Sequence, residues 1–208
     1  REKYLLEAQL RGKQEELRRV AARASELTAF SLNFPQKVHE LNAALSIEDL
    51  TNILSRACTG MLGTRSIQVL LLDAASRELV VAQCLEDGQE IAELKGHRIP
   101  AGEPPQSILL EQATVRDGAT LRGIPEIGDQ ALVLGNKRFP IALVAPLRVR
   151  QETRGLVNLS QAPPGDSRHP EELLGCLAQV AAMSLENLRS LDRARQVARL
   201  DGMTRLLN

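Results

Sequence analysis

The residues with chemistry to offer are few and scattered. Arg98, Asp117, Arg122 and Arg138 are the polar side chains that, by order along the chain, can line a pocket beneath the stretch 118–140. Three guanidinium groups there would suit a small anionic ligand through charge-assisted hydrogen bonds; the competing reading is a solvated loop face. His39, His97 and His169 are the only histidines, too far apart in sequence to suggest a metal site. His97 lies nearest the expected pocket. Cys58 and Cys176 fall on apolar helical faces and Cys84 at a strand end, so all three read as small core hydrophobes. They form no CxxC pair, and an odd number gives no even disulfide framework, as in a reducing compartment. The expectation is therefore a cytoplasmic protein with no resident cofactor or metal.

Composition narrows the classes further. The 208 residues hold 26 Lys+Arg against 26 Asp+Glu, a net charge of zero that lacks the footprint of a nucleic-acid binder. Aromatic residues make up 2%, with no Trp, which argues against base-stacking platforms. No apolar run approaches the ~18 residues of a membrane span.

The elements that must position these side chains emerge from periodicity. Alternate steps of four and three from Leu6 meet Leu10, Lys13, Leu17, Val20, Ala24, Leu27, Ser31, Phe34, Val38, Leu41 and Leu45, a heptad seam. Acid-first pairs four apart, Glu7 with Arg11 and Glu15 with Arg19, support helix, and Pro35 should kink or restart it. So narrow a stripe calls for a partner helix, and a homodimer seam is expected over packing on its own domain.

Ser46-Ile-Glu-Asp49 is a capping box that starts a helix, with Gly60 and Gly63 closing it. Ser66–Leu72 and Glu78–Cys84 read as a hairpin, Lys95–Pro100 as a third strand, and Pro105 to Glu111 as a short helix. Ala113–Asp117 reads as extended. Residues 118–140 are turn-rich, the kind of segment that is more often functional than idle. Two more strands span Ile141–Val149 and Glu152–Ser160, turning tightly at Arg150-Gln151. His169-Pro170-Glu-Glu172 then starts a helix of roughly thirty residues that is apolar on several sides through Met183. After that only the stripe Leu188, Leu191, Ala194, Ala198 persists. The predicted class is α+β, a central antiparallel sheet with helices on one side, plus long N- and C-terminal coiled-coil helices.

Ser46-Ile-Glu-Asp-Leu50, Ala145-Pro146-Leu147-Arg148-Val149, Gly155-Leu-Val-Asn-Leu159 and the closing helix from Glu171 to Asn187 together resemble the GAF family of small-molecule sensor domains. The resemblance covers about residues 41–188. It implies a signalling helix or coiled coil over 1–40, a GAF domain over 41–188, and, over 189–208, a linker helix with the first residues of the domain that the next motif suggests. Asp201-Gly-Met-Thr204-Arg-Leu206-Leu-Asn208 is similar to the Asp-x-Leu-Thr-x-Leu-x-Asn turn that opens GGDEF domains, the diguanylate cyclases, with Met203 and Arg205 departing from the pattern. That implies the sensor and dimerisation region of an enzyme that makes cyclic di-GMP from two GTP. Mg and GTP would be needed only by the cyclase domain, whose GG(D/E)EF loop is not in this sequence, so these residues are expected to catalyse nothing. Signal transmission would fall to Leu188, Leu191, Asp201, Thr204 and Asn208. The alternatives are a sensor for a histidine kinase or a cyclic di-GMP phosphodiesterase, and a ligand-free dimerisation module.

Other family signatures are incomplete. Asn136-Lys-Arg-Phe139 resembles the opening of a cyclic-nucleotide GAF signature, but Leu143-Val144 stand where its acids would come. Arg189-Ser-Leu-Asp192 has the form of a cyclase inhibitory site, yet on this helix it reads as a solvated pair.

Overall fold

Ser46 begins the helix that follows it because its side chain replaces a missing backbone acceptor. In this computed structural model its Oγ accepts from the Asp49 amide at 3.0 Å, while Asp49 Oδ2 accepts from the Leu45 amide at 3.1 Å. Such a cap is worth about 1 kcal/mol. The structure describes Lys13 and residues 33–112, 115–121, 124, 127, 131–164 and 169–204, as backbone alone from 198 onward. The chain divides into two units, Arg1–His39 and Glu40–Asn208. Of the first, Lys13 and residues 33–39 are described, and all are helical, Pro35 included. The heptad positions from Leu6 to Leu27 other than Lys13, and Ser31, lie outside the described residues.

The second unit contains helix α1 (Ile47–Leu62), which buries Leu50, Ile53, Leu54, Ala57, Cys58 and Leu62. Gly60 does not stop it. The stop is Gly63, at φ +67°, whose N–H reaches the Thr59 carbonyl at 3.1 Å. Strands β1 (Ile67–Asp73) and β2 (Glu78–Glu86) form the expected hairpin. Short strands β3 (Gln89–Glu90) and β4 (Arg98–Pro100) both pair with β2. Next are helix α2 (Gln106–Glu111), strand β5 (Arg116–Asp117) and helix α3 (Gly118–Leu121). Then come β6 (Ala131–Leu134), β7 (Lys137–Pro140), β8 (Leu143–Val149), β9 (Glu152–Leu159) and helix α4 (Pro170–Thr204). The sheet runs β3-β2-β1-β9-β8-β5, all antiparallel, and β6-β7 is a separate two-stranded sheet.

The central strands are buried on both faces, so they read as continuous apolar runs. On one face, Ile67, Val69, Leu71, Val157 and Leu159 lie toward α1 and toward Leu174, Leu177, Ala178, Ala181, Ala182 and Leu185 of α4. On the other, Leu70, Val144 and Leu156 pack with Leu109 of α2, Leu121 of α3 and Leu132, Leu134 and Phe139 of the β6-β7 hairpin.

The structure corrects two expectations. Helices cover both faces: the short ones pack with the second core because Leu109 and Leu121 are apolar and fully enclosed there. The stretch 118–140 is not loop throughout but holds α3 and a hairpin, since Leu132, Leu134 and Phe139 alternate inward. Of the piece expected to be extended before it, Arg116–Asp117 form β5, and positions 113 and 114 lie outside the described residues.

Two features of β9 set its contacts with α4 and β1. Register passes from Leu147↔Gly155 to Arg148↔Thr153, leaving Arg154 as the extra residue of a bulge. The bulge brings Arg154 beside Glu186 of α4, Nε to Oε2 at 3.0 Å. Next to it, a Cβ on Gly155 would stand 2.2 Å from the Leu70 carbonyl oxygen, so only glycine lets β1 approach.

Candidate functional site: the sheet edge and the exit helix

The four predicted ligand residues do not converge among the described residues. Arg98 on β4 turns to the β1-β2 hairpin, where Nη1 donates to Asp73 Oδ2 and Glu78 Oε2, each at 3.0 Å, and to Ser76 Oγ at 3.2 Å. An anion there would have to displace two carboxylates. These partners raise the Arg98 pKa, and the Ala75 amide, then Arg98, hold the Asp73 carboxyl below the usual carboxylate range. Asp117 on β5 caps α3, its Oδ1 accepting from the Thr120 amide at 2.6 Å. Arg138 is exposed on β7, and Arg122 lies outside the described residues.

His97 is committed to the fold. Its Nε2 accepts from the Gly135 amide at 3.0 Å, anchoring the β6-β7 turn to the segment before β4 and requiring the tautomer protonated on Nδ1. Behind that hairpin lies a polar knot. Asn158 Nδ2 donates to Gln68 Oε1 at 2.7 Å and to the Pro140 carbonyl at 3.0 Å, and Ser160 Oγ donates to Gln68 Oε1 at 2.6 Å. These bonds tie β1, β9 and the end of β7 together inside an otherwise apolar core.

Cys58 and Cys84 are buried, as expected of small hydrophobes. Burial pushes their thiols up to about 12 and about 11 respectively. Cys176 is the exception and is exposed: Leu174, Leu177 and Ala178 fill the inward positions of that turn of α4, leaving 176 outside. Among the described residues, no three His, Cys, Asp or Glu side chains cluster closely enough to hold a metal ion. Nor is any helix among them long and apolar enough to cross a membrane.

The cluster that sequence reasoning missed sits where α4 leaves the sheet. Glu186, Arg189 and Arg193 share one helical face, being three and four residues apart. Glu186 Oε2 meets Arg154 and its Oε1 meets Arg193 Nη2 at 2.9 Å. Arg154 also reaches Glu152 at 2.7 Å. Arg189 is no solvated partner of Asp192: its Nη2 donates to the Leu72 carbonyl at 3.0 Å, and Asp192 pairs with Arg195 at 3.7 Å instead. Burial, and then the nearby Arg154, lower the Arg189 pKa. The signal available in the sequence was the face shared by Glu186, Arg189 and Arg193.

Of the expected transmission residues, Leu188 is partly buried and Leu191 is 54% exposed. Asp201 and Thr204 lie on helical backbone, and Asn208 is outside the described residues.

No known family model matches this chain, and no curated protein does. Solved structures match in fold. The GAF domain of a phosphoenolpyruvate-protein phosphotransferase from Acinetobacter superposes with a TM-score of 0.58 at 16% identity, covering 75% of this chain and 92% of that one. The corresponding GAF domain from Coxiella burnetii gives 0.58 at 18%, covering 76% and 94%. The chromophore-binding domain of the bacteriophytochrome RpBphP3 from R. palustris gives 0.57 at 14%, covering 80% and 63%. The chain therefore has the GAF fold, and a likeness at such identities is one of fold alone.

Proposed function

We propose that this chain is the sensor and transmission region of a signalling enzyme, a diguanylate cyclase, and that it works as a homodimer through its terminal helices. The observation that carries this reading is the change of burial along α4. Leu174, Leu177, Ala178, Ala181, Ala182 and Leu185 are packed on the sheet, whereas Leu191 and Val197 stand 54% and 61% exposed further along the same helix. Apolar side chains on a projecting helix suit a second helix of the same kind. The resemblance of residues 201–208 to the turn that opens GGDEF domains supplies the output. In the parent enzyme, Mg and GTP would belong to that cyclase domain.

The mechanism is geometric. Joining two GTP molecules requires two catalytic domains face to face, and alignment is most of what such a site provides. A helix turns about 100° per residue, so a small change of register or crossing angle at α4 reorients whatever it carries. A ligand or partner preferring one arrangement by ~2 kcal/mol shifts the ratio about thirtyfold.

A second reading, a ligand-free dimerisation module, is favoured by the core opposite α1 and α4. Phe139, Leu121, Leu132 and Leu134 fill that space to 2% exposure or less.

Residue insertions after Leu191 test the cyclase reading in the full-length protein. Cyclic di-GMP output should change with one inserted residue and recover with seven, about two helical turns. Output indifferent to the number inserted contradicts it.

A further inference from the structure

A cleft of about 840 Å³ opens between the β1-β2 hairpin and the exposed half of α4. This falls within the ~300–1,000 Å³ range of small-molecule sites. Its apolar wall is Leu71, Leu72, Ala74, Ala75 and Val80; its polar wall includes Arg154, Glu186, Arg189 and Arg193.

Three acids, Asp73, Glu186 and Asp192, and three arginines, Arg154, Arg189 and Arg193, line it, but their pairing is uneven. Asp73 is taken by Arg98 and the Ala75 amide. Glu186 is shared by Arg154 and Arg193. Asp192 goes to Arg195. Among the described residues lining the cleft, Arg189 alone carries a charge with no opposite charge at ion-pair distance. It offers five donor hydrogens and shows one bond, to the Leu72 carbonyl. A half-buried guanidinium in that position has donors left for an anion.

We propose that this cleft binds a small amphipathic organic anion, a carboxylate or phosphate monoester with an aliphatic body. Its charged end meets Arg189 and Arg193, and its aliphatic part lies on Leu71, Ala75 and Val80. The site touches both the sheet and the helix that leaves it, so an occupant holds the two together. It is separate from the filled core on the opposite face of the sheet, and binding is read without any cyclase output, so its failure is distinguishable from failure of the signalling role.

The test is titration of the 208-residue protein with hexanoate, hexyl phosphate, inorganic phosphate and hexylammonium, monitored by calorimetry and by methyl NMR of Leu71, Ala75 and Val80. Saturable binding of hexanoate or hexyl phosphate is expected, with shifts at those methyls and roughly tenfold weaker binding in Arg189→Gln. Whichever of the two binds more tightly identifies the head group. Arg193→Gln, whose side chain is 66% exposed, should weaken it without disturbing the fold, and Lys137→Gln should leave it unchanged. Hexylammonium or inorganic phosphate binding as tightly, methyl shifts elsewhere, unaltered affinity in both arginine variants, or no saturation below about 10 mM would each overturn the proposal.

Discussion

The Ser184 hydroxyl on α4 donates to Asn42 Oδ1 at 2.9 Å, joining residues 142 positions apart. Ser184 is 4% exposed and sits where the helix still packs on the domain. The segment leading into the sheet and the helix leading out of it are thus pinned to each other. Replacing Ser184 with Ala removes a neutral hydrogen bond of about 1 kcal/mol. Thermal melting should show a midpoint several degrees lower; an unchanged midpoint would mean the bond is not made in solution.

Glycines at positions 60 and 155 should respond in opposite directions to alanine. Gly155→Ala drives a methyl into the Leu70 carbonyl oxygen and should cost about 3 kcal/mol. Gly60 has nothing within 4 Å of an added Cβ and lies inside α1, so Gly60→Ala should stabilise by ~0.5–1 kcal/mol. Urea unfolding of the two variants decides it, and the same sign for both would contradict the strand packing described.

Thiol reactivity separates the cysteines. With an aromatic disulfide reagent at neutral pH, Cys176 should react in the folded protein, while Cys58 and Cys84 stay silent until unfolding exposes all three. Rapid reaction of a second thiol under native conditions would place Cys58 or Cys84 closer to solvent than the core allows.

Acid should weaken the β1-β2 turn. The Asp73 carboxyl titrates below its ordinary range when folded, so its contribution is present above the unfolded value of about 3.9 and is lost as pH falls through the folded one. Between pH 5 and pH 3, the wild-type protein should lose more stability than Asp73→Asn. Parallel losses in the two would show that the carboxylate is not engaged by Ala75 and Arg98.

Much of this fold is legible in the chain because local signals and burial agree. Ser46 and Asp49 announce α1, and the apolar runs bounded by turns at 67–73 and 143–149 read as strands, which the sheet places at its centre. The β6-β7 hairpin is obscured by the glycines and prolines around it, although Gly135, at φ +61°, is the turn residue that makes it possible. Sites are harder to see, because they depend on contacts distant in sequence. Register opposite β2 sends Arg98 to Asp73 and Glu78 rather than to a pocket. Nothing near Arg189 in sequence points to a carbonyl 117 residues away.

The most direct test of the central claim is sedimentation of the 208-residue protein at micromolar concentration, beside Leu191→Glu. The account predicts a dimer for the wild type and dissociation toward monomer when a charge replaces this exposed leucine. A wild-type protein that sediments as a monomer across the micromolar range would contradict it.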